Sequence, residues 1–98
     1  MANLSDLHTE TRRLEILRVL SVDPGYRTSD ALLQRALEVY GLSASRDQIR
    51  TDLAWLAEQG LVSVEALGGL HLAKLAGRGE DVAKGLARVP GVARPRPD

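Results

Sequence analysis

The chain has 98 residues, enough for one small hydrophobic core. It contains no Cys and no Phe, one Trp and two Tyr, which excludes disulfides, thiol chemistry and cysteine-based zinc sites and leaves burial mainly to Leu, Val and Ala. Formal net charge is zero, yet residues 1–73 hold seven Arg against ten Asp or Glu and residues 74–98 hold six cations against three acids. Attraction to phosphate would therefore come mainly from the C-terminal quarter.

In chain order, Leu4, Leu7, Leu14, Ile16, Leu17, Val19 and Leu20 recur at helical spacing between charged residues, predicting an amphipathic first helix. Asp23-Pro24-Gly25 is a breaker cluster that stops it near Val22. Thr28 and Ser29 offer side-chain oxygens to the start of a second helix. Asp30 lies in its first turn, Leu33, Leu37 and Tyr40 form its buried stripe, and Gly41 is its left-handed terminator. After a short turn, Ser45-Arg46-Asp47-Gln48 matches a capping box. The third helix then points Ile49, Leu53 and Leu56 toward the core and ends at Gly60.

Beyond Gly60 the period falls to about two. Leu61 to Leu67 and Leu70 to Leu75, joined by Gly68-Gly69, predict a β-hairpin with a tight two-residue turn. A last short helix follows within Ala76 to Arg88, from about Glu80 and weakened by Gly85. Val89 to Asp98, with three Pro and alternating Arg, is expected to be an extended or disordered tail. This order predicts a mainly α, α+β fold over residues 1–88: a winged helix-turn-helix with a three-helix core, a two-stranded hairpin wing and a short C-terminal helix. The basic Pro-rich tail occupies 89–98.

The stretch from Asp47 to Val62, with Gly68-Gly69 after it, resembles the recognition helix and wing of DeoR-type bacterial regulators, which tend to show an Ile-Arg-Arg-Asp-Leu run. Ile49, Arg50, Asp52 and Leu53 match that run, and Thr51 replaces its second basic residue. The whole chain also resembles small proteins of Mu-like bacteriophages and prophages that carry winged-helix or ArsR-type labels, through Arg46 to Val62 and Arg88 to Pro97.

These resemblances imply a DNA-binding homodimer, a transcriptional regulator that lays helix 46–59 in the major groove, and the charged N-terminus without a long apolar run makes a cytoplasmic protein the expectation. Arg46, Asp47, Arg50, Thr51, Ala54 and Lys74 are then the candidate contacts to double-stranded DNA. Under the competing reading Arg46 and Arg50 are surface charges paired with Asp47 and Glu58. Trp55, Leu4 and Leu7 are candidate interface residues, Trp55 otherwise covering the edge of the core. The acidic third helix and cation-free wing tip favour a second class of function, a protein-interaction or assembly module with a phage or host protein partner. No catalytic constellation, metal-ligand spacing, cofactor motif, signal peptide or membrane span is visible.

Overall fold

The computed structural model describes residues 3–96. The elements run α1 (Leu4–Val22), β1 (Arg27–Ser29), α2 (Asp30–Val39), α3 (Arg46–Glu58), β2 (Val62–Leu67), β3 (Leu70–Leu75) and α4 (Gly77–Ala83). The fold is α+β, with four helices and one antiparallel sheet of order β1-β3-β2. No described helix is long and apolar enough to cross a membrane.

The first three helices begin and end for local reasons. Asn3 and Asp6 form a reciprocal capping box at the start of α1, and Ser45 and Gln48 do the same for α3. Ser29 caps α2, its hydroxyl accepting from the Leu32 amide at 3.2 Å. Gly41 and Gly60 follow α2 and α3 with φ of +72° and +74°, and the amides of Leu42 and Leu61 reach back to the carbonyls of Leu37 and Leu56. Between α2 and α3, the Gln34 side chain donates to the Ala44 carbonyl at 3.1 Å and so holds the short turn shut. Asp23 builds the turn after α1, its carboxylate accepting from the amides of Gly25 and Arg27.

The hairpin has the expected register, Leu67 opposite Leu70 and Val62 opposite Leu75, with Gly68 and Gly69 both at positive φ in its turn. Its inner face carries Val62, Ala73 and Leu75 into a core built from Leu14, Ile16, Leu17 and Leu20 of α1, Leu33 and Leu37 of α2, and Ile49, Leu53 and Leu56 of α3. Leu61, Val82, Ala83, Val89 and Val92 complete it.

The structure departs from expectation in four places. The sheet has three strands, because Arg27–Ser29 pairs antiparallel with Leu72–Lys74 before entering α2. Three residues carry no readable periodicity, and their Thr-Ser pair reads as a cap, which Ser29 also is. Tyr40 is not in the buried stripe of α2: it is the C-cap residue and is 61% exposed. The last helix starts at Gly77 and stops at Ala83 instead of running from about Glu80 toward Arg88, and the chain then turns through Gly85 at φ +79°.

The fourth departure is the tail. Residues 97 and 98 lie outside the described residues, but Val89 and Val92 are buried, and the Ala93 amide donates to the Glu10 carbonyl of α1 at 3.1 Å. Alternating buried Val and exposed Pro or Arg lets an irregular segment contribute to the core, a pattern that composition conceals.

Where the chain enters α4, a Cβ on Gly79 would lie 2.1 Å from the Leu61 carbonyl oxygen and 2.8 Å from the Leu75 side chain. Backbone cannot yield as a flexible side chain does. We therefore expect Gly79→Ala to cost about 1–3 kcal/mol, read as a lower urea midpoint at unchanged slope.

Candidate nucleic-acid interface

The exposed side of α3 is defined by what its opposite side buries. Ile49, Leu53 and Leu56 are fully buried, so Asp47, Thr51, Ala54 and Glu58 occupy the outward positions, with Arg46 and Gln48 exposed in the first turn. The Thr51 hydroxyl donates to the Asp47 carbonyl at 3.0 Å, which uses its proton and leaves the oxygen of this exposed side chain able only to accept.

Arg50 has an intramolecular task that sequence spacing did not show. Its Nε donates to Asp30 Oδ2 at 2.5 Å and its Nη2 donates to the Gly69 carbonyl oxygen at 2.7 Å. Asp30 is 0% exposed, and its Oδ1 accepts from the His71 amide at 3.2 Å and from its own helix at Ala31. One guanidinium thus joins the start of α2, the middle of α3 and the tip of the hairpin. Burial works to raise the Asp30 pKa, but the hydrogen bonds from Arg50, His71 and Ala31 together with the Arg50 charge outweigh it and hold the carboxyl below the ordinary value. The partners expected for the arginines, Asp47 and Glu58, make no ion pair among the described residues.

A second buried acid anchors the other flank of α3. Asp52, 2% exposed, is held by the Arg12 Nε of α1, with Arg13 Nε 3.5 Å from its other oxygen. That Arg13 atom makes no hydrogen bond, but its guanidinium carbon lies 3.9 Å from the centre of the Trp55 ring and its Nη1 donates to the Gly91 carbonyl at 3.0 Å. Gly91, at φ +99°, lies flat against Trp55: a Cβ there would sit 2.7 Å from the indole. Trp55 therefore packs on the core edge beneath the C-terminal segment and Arg13.

These pairings change the charge of the candidate surface. Asp52 and Arg50 are each neutralised internally, leaving Arg46 against Asp47 and Glu58 on the exposed side of α3. Lys74 is not brought to that side. It stands on the outer face of the sheet between Arg27 and Ser63, opposite the face that carries Ala73 and Leu75 into the core. Leu4 and Leu7, 71% and 52% exposed, line a shallow groove with His8, Thr11 and Leu42, none of them a residue of α3 or the hairpin. No group of His, Asp and Glu suited to holding a metal occurs among the described residues.

Asp30 and Asp52 had a legible signal. Asp52 falls three residues after Ile49 and four before Leu56, and Asp30 falls three and seven before Leu33 and Leu37, so each carboxylate lies on a core stripe. A charge at such a position requires a counter-charge.

No family model matches the chain, and no solved structure matches it. Among curated proteins it is 50% identical over 94 residues to uncharacterized protein gp26 of Escherichia phage Mu, an alignment that covers 96% of this chain and 97% of that protein. It is also 43% identical over 65 residues to an uncharacterized protein of Haemophilus influenzae, covering 66% of this chain and 63% of that one. The chain is thus a small protein of phage type. It belongs to the family of phage Mu gp26.

Removing Arg50 strands a buried carboxylate. We expect Arg50→Ala to cost about 3 kcal/mol near neutral pH, measured by urea unfolding. Because the folded pKa of Asp30 is depressed, its contribution in the native chain is present above the unfolded carboxylate value of about 3.9 and is lost as pH falls through the folded one. In Arg50→Ala burial is no longer offset by the Arg50 hydrogen bond and charge, so the stability deficit of the variant should narrow as pH falls and Asp30 protonates. A pH profile identical to that of the native chain would show that Arg50 does not control Asp30.

Trp55, the sole tryptophan, reports directly on the C-terminal segment. Deleting residues 88–98 should shift its fluorescence emission to longer wavelength and raise quenching by iodide. An unchanged spectrum would mean that Val89 to Ala93 does not cover the ring in solution.

Proposed function

We propose that this chain is a winged-helix protein that contacts duplex DNA through the N-terminal half of α3, in the role of a transcriptional regulator. What supports the architecture is the element order, with β1 pairing onto the hairpin and a short closed turn joining α2 to α3. The observation that carries the functional reading is the Arg50 bridge. By tying the Gly69 carbonyl to α3 and Asp30, it sets the hairpin tip beside a helix whose outward side exposes Arg46, Asp47, Thr51 and Ala54. A helix with an adjacent ribbon matches the width of the major groove and its bordering backbone. Arg46 then reaches a guanine edge or a phosphate, Thr51 a thymine methyl, and the remaining guanidinium nitrogen of Arg50 a phosphate. Pairing of two copies through Leu4 and Leu7 of α1 would double every such contact.

A second reading has its own observation. Asp47 and Glu58 outnumber Arg46 on the outward side of α3, and the hairpin tip presents Leu67 and Leu70 without a cation. That surface suits a protein partner better than a polyanion, and the phage Mu relative fits an assembly module equally well.

Salt separates the two. For a groove reader, log affinity for duplex DNA falls linearly with log salt at about 0.9 per neutralised phosphate, and Arg46→Ala weakens binding. Absence of binding at the lowest salt that keeps the protein soluble would rule out the first reading in favour of the second.

A further inference from the structure

The segment from Lys84 to Arg96 contains four cations and no acid. Arg88, Arg94 and Arg96 are exposed and make no ion pair among the described residues, whereas Lys84 is paired with Glu80. These three arginines are the segment's cations without an ion pair among the described residues, and the segment is not loosely attached. Val89 and Val92 are buried, the Arg13 guanidinium donates to the Gly91 carbonyl, the Ala93 amide donates to Glu10, and Gly91 rests on the indole of Trp55, a residue of α3 itself. The segment is a strap along one flank of α3, while the Arg50 bridge holds the hairpin on another.

Distance limits follow from the chain. Arg88 and Arg94 are each three residues from Gly91, so their Cα atoms lie within about 11 Å of the glycine that touches Trp55. An arginine side chain extends that reach by several ångströms. Helix α3 alone offers Arg46 against two acids, so a polyanion approaching it meets its main favourable charge on the strap.

We propose that the C-terminal strap is a phosphate-contacting surface for duplex DNA, with Arg88, Arg94 and Arg96 gripping the backbone beside the groove that receives α3. The strap is sequence-blind, since phosphate contacts fix register and affinity and base edges carry specificity. Its anchor is the Trp55–Gly91 contact, made possible by the absence of a side chain at position 91. This rests on the DNA-binding reading above and assigns that reading its principal source of affinity.

The test uses the full chain and a random-sequence duplex of about three helical turns, with binding measured by fluorescence anisotropy across a salt series. Replacing all three arginines, Arg88→Gln with Arg94→Gln and Arg96→Gln, is expected to lower the slope of log affinity against log salt by about 2 to 3 and to weaken binding at low salt at least tenfold. A second variant, Gly91→Val, keeps every charge but displaces the strap from Trp55. It is expected to lower the slope likewise and to shift Trp55 emission to longer wavelength.

If the native chain binds but the triple variant keeps the native slope, the strap proposal falls and the groove reading stands. If Gly91→Val loses the Trp55 contact yet binds as the native chain does, the cations act as a loose tether and the anchored strap is wrong. If the native chain does not bind the duplex at the lowest salt, both readings fall together. Circular dichroism of each variant identifies loss of fold as a separate cause.

Discussion

Two aspartates with almost no access to water govern how the parts of this small protein are arranged. A carboxylate taken out of water costs several kcal/mol unless a cation and hydrogen bonds go with it. Asp30 obtains Arg50 and the His71 amide, and Asp52 obtains Arg12 and Arg13. Because the partners come from other elements, each acid fixes a relation between elements that aliphatic contacts alone would leave less specific. Leu against Leu tolerates sliding, whereas a guanidinium that must meet a carboxylate and a carbonyl does not.

The two clusters fasten opposite flanks of α3. Through Arg50, the hairpin tip is held beside the helix at the Gly69 carbonyl, and the β1–α2 junction is tied in by the same guanidinium. Through Arg13 and Trp55, the C-terminal segment is laid along α3 and α1. Helix α3 is therefore framed on both flanks and left open outward. Whichever partner the protein meets, this framing makes the helix and its two borders a single surface instead of three independently moving pieces.

The same pairings alter what that surface presents. Counted from the sequence, the third helix has two basic and three acidic residues, but one of each is used internally. The remaining imbalance is small and the open face nearly neutral, so any attraction for a polyanion has to come from beside the helix. The strap arginines supply charge where α3 lacks it. A neutral net charge is thus compatible with a locally basic border, since over a Debye length of about 8–10 Å the nearest charges matter more than the total.

The amino-acid sequence by itself determined the helices, the hairpin and most of the core. Capping boxes, glycines at positive φ and apolar spacing of three and four are local devices, and local devices are written in consecutive residues. Ile49, Leu53 and Leu56 turned inward for that reason, and Gly68-Gly69 made the turn their type permits. Tertiary structure alone decided which arginine meets which aspartate, that Arg27–Ser29 would become a third strand, and that a proline-rich end would pack against Trp55. Those features join residues 20, 40 and 78 positions apart. No periodicity spans such distances, and the choice among possible partners is made only when the elements have packed.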